Sequence, residues 1–174
     1  KSTLSAYLLE ELHSSEVTVV PMDGYHLSNA VLQELGRADR KGAPDTFDVA
    51  GFASLLQRIR NEKSVDIYYP VFDRSIEESI AAQGVVTKET KVVIVEGNYL
   101  LHDSGGWEVI AELLDELWFI DVDDEKRLER LIARHIAYGK SPADAESWSR
   151  GSDEVNARTI ATGRSRAHAV IALD

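Results

Sequence analysis

Val17-Thr-Val-Val-Pro-Met-Asp-Gly-Tyr-His26 is the stretch on which the reading of this chain turns. Val17, Thr18, Val19 and Val20 are β-branched and favour a strand, which Pro21 and Gly24 then punctuate. Asp23 therefore falls at the carboxyl end of a strand, where open α/β sheets bind ligands. Further runs repeat the pattern. Val92-Val-Ile-Val95 is apolar and β-branched throughout, the mark of a buried parallel strand, and it runs into Glu96-Gly97-Asn98. Leu117 to Asp121 and Ala169 to Ala172 read as two more strands. Strands alternating with helices over this length predict an α/β fold with a mainly parallel sheet.

The first residues, Lys1-Ser2-Thr3, have the form of the tail of a phosphate-binding loop, G-x-x-x-x-G-K-[ST]. Leu4, Leu8 and Leu12 then predict an amphipathic helix over about residues 2 to 13, and such a loop must open a helix. Three residues fit any surface helix equally well. A first strand and the loop glycines are expected upstream of Lys1.

Between these landmarks the chain reads as follows. A helical stretch runs from Ser28 to Leu35, then a long polar loop covers residues 36–48. Within that loop, Asp45 and Asp48 flank Phe47, placed either to hold polyol hydroxyls or, for Asp48, to cap the next helix. Phe52, Leu55, Leu56 and Ile59 mark that helix. Residues 65–74 alternate like an edge ribbon, with Pro70 excluding a central strand and Gly84 to Val86 as hairpin partner. Asp123 to Tyr138 is helical, with Leu128, Leu131, Ile132 and Ile136 inward. Arg127 reads as part of a surface stripe paired with Glu125 and Glu129, whereas Arg134, His135 and Lys140 suit a cationic lid over phosphates. Ser141-Pro142 restarts a helix that runs to about Ile160 and weakens at Gly151.

Composition sets bounds. The 174 residues fit one domain with a real core, and 44% hydrophobic with 28% charged residues is ordinary for a globular chain. A net charge of -11 argues against nucleic-acid and anionic-membrane partners. The absence of cysteine excludes disulfides, thiolate metal sites and cysteine nucleophiles. With no apolar run of membrane-spanning length, the cytoplasm is the expected location.

The chain resembles the P-loop kinase group of uridine kinase, phosphoribulokinase and type I pantothenate kinase, and more narrowly bacterial nucleoside kinase-like and fructose-transport-system kinase-like proteins. The resemblance lies in Pro21 to His26, Arg40 to Asp48, Pro70 to Arg74, Val95 to Leu101, Arg134-His135 with Gly139-Lys140-Ser141, and Asp153 to Arg158. It implies a P-loop NTPase fold of three α/β/α layers in a single domain over residues 1–174, with a helical lid over about 134–150. It also implies ATP and Mg²⁺ as cofactors, and a sugar, nucleoside or pantothenate-like acceptor. Asp23 matches the catalytic acid, Lys1 the phosphate-bridging lysine, and Ser2 the Mg²⁺-binding hydroxyl beside Thr3. Glu96 matches the acid supporting the metal, Asp48 an acceptor-binding acid, and Arg134 and Lys140 the lid cations. Tyr25, His26, Arg40, Phe72, Arg74, Asn156 and Arg158 fall in the acceptor pocket by the same comparison. Relatives of this kind often form dimers or tetramers, so the resemblance admits a homodimer without fixing the oligomeric state. A switch GTPase would carry Asn-Lys-x-Asp, which this sequence lacks; a regulatory nucleotide-binding protein without transfer activity is the competing reading.

Overall fold

The computed structural model describes residues 2–12 and 16–173, without the side chain of Ser2. In chain order the elements are α1 (Ser2–Leu12), β1 (Val17–Pro21), α2 (Asn29–Glu34), α3 (Val49–Asn61), β2 (Ile67–Asp73), β3 (Glu78–Val86), β4 (Val92–Glu96), α4 (Glu108–Glu112), β5 (Trp118–Val122), α5 (Asp124–Ala137), α6 (Pro142–Arg150), α7 (Ser152–Ala161) and β6 (Ala169–Leu173). β1 and β4 pair in parallel from Val17↔Val92 to Pro21↔Glu96. The carboxyl ends of the two strands therefore lie side by side, and with them the segments carrying Asp23 and Glu96. β5 and β6 form a second parallel pair, while β2 and β3 make an antiparallel ribbon whose register shifts at Pro70. The hairpin foreseen at Gly84 to Val86 thus begins earlier, at Glu78.

The core gathers beneath β1. Phe52, Leu55, Leu56 and Ile59 of α3 are buried at helical spacing against Val20, Met22, Ile67, Tyr69 and Val86. Asp48 caps α3, accepting from the Gly51 N–H at 2.9 Å. Trp107 and Tyr99, fully buried, are the largest side chains of this core. The Trp107 indole N–H donates to the Pro44 carbonyl at 3.0 Å, and the Tyr99 hydroxyl donates to the Gly42 carbonyl at 2.6 Å. Thr46, also buried, donates to the Ala43 carbonyl. The polar stretch 36–48 is accordingly bolted to the core by two aromatic residues from the far side of β4, and it folds into two short 3₁₀ turns.

The second half departs from expectation in three places. Val92 is 48% exposed and Val93 to Val95 are only half-buried, although their composition suits a strand buried on both faces. Among the described residues the two parallel ladders are separate two-stranded sheets, and β4 and β5 line a cleft of about 1840 Å³ between them. Leu4, Leu8 and Leu12 of α1 and Leu131 of α5 line the same cleft, so the apolar faces of these helices are half-covered and no residue of α5 is buried. Last, Gly151 does more than weaken the final helix: it ends α6 and begins α7. Ser141 accepts from the Asp144 N–H and Pro142 occupies the first turn of α6, as the sequence predicts. Among the described residues no helix is long and apolar enough to cross a membrane.

Replacing Trp107 with Phe keeps most of the aromatic packing but strands the Pro44 carbonyl without its donor. We expect a loss of about 1–3 kcal/mol, seen as a lower urea midpoint at unchanged slope. An unchanged midpoint would show that the loop does not depend on this bond.

Candidate functional site

Asp23 stands two residues beyond β1, in a single 3₁₀ turn of Met22–Tyr25. The turn is held from both sides. Gly24 presses so closely on β2 that a Cβ there would fall onto the Pro70 carbonyl oxygen. Met22 is fully buried beneath Gly97, where a Cβ would come within 2.8 Å of its side chain. The backbone closes the turn further, the Asp48 N–H donating to the Tyr25 carbonyl and the Leu27 N–H to Thr46. Asp23 is thereby fixed with its carboxylate 18% exposed, and its Oδ2 accepts from Arg74 Nη2 at 3.0 Å. Oδ1 has no hydrogen bond among the described residues.

His26 is the second fixed group. Its Nδ1 lies 2.7 Å from the Asp23 carbonyl oxygen, which can only accept, so Nδ1 carries the proton. The ring lies between Phe47 at 4.1 Å and Phe72 at 4.7 Å. Phe72 also carries two cations, with Lys41 Nζ 5.2 Å and Arg74 Cζ 5.8 Å from its centroid. Tyr25 packs on Phe52, and burial with the nearby Asp48 charge pushes its hydroxyl up to about 12. Asp23, His26, Phe72 and Arg74 form one contiguous cluster, and Tyr25 of the same turn packs instead on Phe52 of α3.

Two residues predicted for that cluster are engaged elsewhere. Arg40 holds Asp45 at 2.5 Å, which with Arg37 keeps the Asp45 carboxyl below its usual range. Asp48 acts as the α3 cap, the second of its two sequence readings.

The remaining predicted residues line the large cleft: Thr3, Glu96, Arg134, Asn156 and Arg158. Lys1 lies outside the described residues, as does the Ser2 side chain. Glu96 Oε2 accepts from Ser5 Oγ of α1 at 2.8 Å, tying the end of β4 to the first turns of that helix. Arg134 is exposed and, among the described residues, has no ion pair. Arg158 pairs with Glu154 at 3.5 Å while remaining 80% exposed. Lys140 lies over Trp148 at 4.3 Å from the ring, beside a smaller pocket that Asp39 also lines. Arg127 is structural, but through Asp124 and Glu154 of α7 rather than Glu125 and Glu129. His135 likewise reaches α7, at 2.7 Å from Asp153. The sequence reading gave no role to Lys41, Tyr99 or Trp107. Lys41 sat in plain view among the loop cations, but only the folded hairpin brings it over Phe72.

No protein-family model matches the chain. An ATP-dependent kinase-like protein of Aspergillus versicolor is 36% identical over 152 residues, spanning 82% of this chain and 88% of the relative. A protein of Schizosaccharomyces pombe, provisionally named a uridine kinase, is 32% identical across 86% of this chain and 67% of its own length. A crystal structure from Silicibacter sp. TM1040, provisionally named a fructose transport system kinase, superposes with a TM-score of 0.88 at 37% identity, covering 97% of this chain and 82% of that one. This chain belongs to the uridine kinase-like P-loop kinases. The α/β architecture with its parallel ladders is thus that of a P-loop kinase.

Burial, foremost, pushes the His26 imidazole below its ordinary value of 6.5; the Lys41 and Arg74 charges act the same way, and the contacts with Asp23 oppose them. Below that pH the unfolded chain takes up a proton that folded His26 resists. Stability present above about pH 6.5 is therefore lost as pH falls toward the folded value. His26→Asn keeps a donor for the Asp23 carbonyl without the titration. We expect it to flatten the fall in unfolding free energy between about pH 7 and pH 5; an unaltered fall would assign the effect to other groups.

Proposed function

We propose that this P-loop kinase transfers the γ-phosphate of ATP to a hydroxyl of a small acceptor, a sugar, nucleoside or pantothenate-like molecule, with Asp23 as the base. The observation that carries the reading is the placement of Asp23. A rigid turn presents one carboxylate oxygen to Arg74 and leaves the other open, at the sheet end shared with Glu96. The acceptor hydroxyl donates to Asp23 Oδ1, its oxygen bonds to the γ-phosphorus, and the bond from that phosphorus to the bridging oxygen of ADP breaks. The proton passes to the carboxylate. Such chemistry depends on positioning and charge neutralisation more than on covalent help from the protein.

On the donor side, Lys1, Ser2 and Thr3 hold the phosphates at the start of α1, and Arg134 and Lys140 approach from the α5–α6 corner. Gly139, at φ +96°, and the Ser141 cap give that corner its sharp bend. Glu96 with Ser2 would hold Mg²⁺; the donor set fits, since a carboxylate at a strand end beside a helix start supplies hard oxygen ligands. Bound there, Mg²⁺ would neutralise charge on the β- and γ-phosphates. Among the described residues no group of three acidic or histidine side chains could hold a metal ion unaided.

The test is acceptor-stimulated ADP release with Mg·ATP against nucleosides, sugars and pantothenate, using the full-length protein. One acceptor should raise turnover, and Asp23→Asn should lower that turnover by about 10²–10⁴-fold while leaving ATP affinity unchanged. Undiminished transfer by Asp23→Asn would remove Asp23 from the base role. Tight ATP binding with no acceptor effect would favour a regulatory nucleotide-binding protein.

A further inference from the structure

The loop 36–48 and the tip of the β2–β3 ribbon meet at Lys41. Its ammonium donates to Asn29 Oδ1 at 2.6 Å and to the Glu77 carbonyl at 2.5 Å. Glu77 has φ 54°, a left-handed conformation uncommon for a side-chain-bearing residue, within the turn joining β2 to β3. Asn29 is fixed in turn, its N–H donating to Glu78 and its amide to the Glu77 carbonyl. An ammonium has three protons, so two are committed to neutral oxygens and one remains.

The charges around Lys41 make this arrangement unusual. Of the four cations on this side, Arg37 and Arg40 share Asp45, and Arg74 holds Asp23. Among the described residues Lys41 alone of the four has no ion pair. The Glu77 and Glu78 charges act on it only from beyond contact, and burial outweighs them, drawing its pKa down. A half-buried cation served only by neutral groups is costly to hold in place unless something else answers its charge. Its position says what that is. Lys41 and Arg74 lie over the same Phe72 ring, His26 stacks on that ring, and His26 is bonded to the backbone of Asp23.

We propose that Lys41 is a specificity-determining residue that binds an anionic group on the acceptor. The molecule phosphorylated would carry a carboxylate or a phosphate ester as well as its reacting hydroxyl. This inference rests on the kinase reading above and narrows its acceptor class. Phe72 supplies the floor, Asp23 Oδ1 takes the hydroxyl, and the remaining Lys41 proton with the unused Arg74 donors takes the anion. A neutral sugar or nucleoside leaves Lys41 without an ion pair in contact.

The experiment uses the full-length protein and acceptor pairs that differ in the anion alone: pantothenate against panthenol, and fructose 1-phosphate against fructose. ADP release at saturating Mg·ATP should show a KM for one charged member about ten- to a hundredfold below that of its neutral counterpart. Lys41→Met should raise that KM by a similar factor with kcat within about twofold, and leave the neutral member unaffected. Whether the carboxylate or the phosphate pair responds identifies the anion. Equal use of the neutral member, or an unchanged KM in Lys41→Met, would overturn the proposal. Calorimetry of the charged probes without ATP separates the two readings. Binding that Lys41→Met abolishes, without any transfer, would support the anion site and overturn only the kinase reading; no binding of either charged probe, or binding that Lys41→Met leaves intact, would overturn the anion site.

Discussion

The contact between Gly24 and the Pro70 carbonyl governs the rest of the site. It leaves no room for a side chain, and it joins the turn after β1 to the ribbon at the point where Pro70 breaks the β2–β3 register. Because of it, Asp23 on the turn and Arg74 at the ribbon's end meet at 3.0 Å, and Phe72 reaches His26. The Asp23–Arg74 pair is partly exposed and contributes little stability by itself. Its geometry follows from backbone packing, and that packing is what a positioned carboxylate needs.

The two sides of the molecule are built differently. Around Asp23 the side chains are locked by aromatic stacking, by Met22 under Gly97 and by the bolts from Trp107 and Tyr99 to the loop 36–48. Around the large cleft, Arg134 and Arg158 are exposed, and α5 is joined to α7 chiefly by polar contacts, Arg127 to Glu154 and His135 to Asp153. On the proposed reading, a carboxylate fixed by backbone packing suits a reaction in which one substrate is held for attack.

Much of this was legible in the sequence where the signal is local. Four β-branched residues announced β1, and helical spacing from Phe52 to Ile59 announced α3 with its cap at Asp48. Ser141-Pro142 marked the start of α6. What could not be read is what depends on distant partners. Trp107 and Tyr99 act through carbonyls some sixty residues away, and nothing around Trp107 suggests the short helix α4 that it precedes. The family resemblance puts Arg40 in the acceptor pocket, while in the structure it pairs with Asp45, five residues on. The apolar run of β4 was taken for a strand covered on both faces, but its exposure depends on which edges are paired, a property of the whole sheet.

The most direct test of the account is a single-turnover measurement on Gly24→Ala. The substitution adds one methyl group against the Pro70 carbonyl and leaves every proposed reacting group in place. If the Gly24–Pro70 contact sets the position of the Asp23 carboxylate, phosphoryl transfer from pre-bound Mg·ATP slows by about 10²-fold or more while the dissociation constant for Mg·ATP stays unchanged. Transfer at the unaltered rate in a folded Gly24→Ala protein would contradict the claim that this contact positions the site.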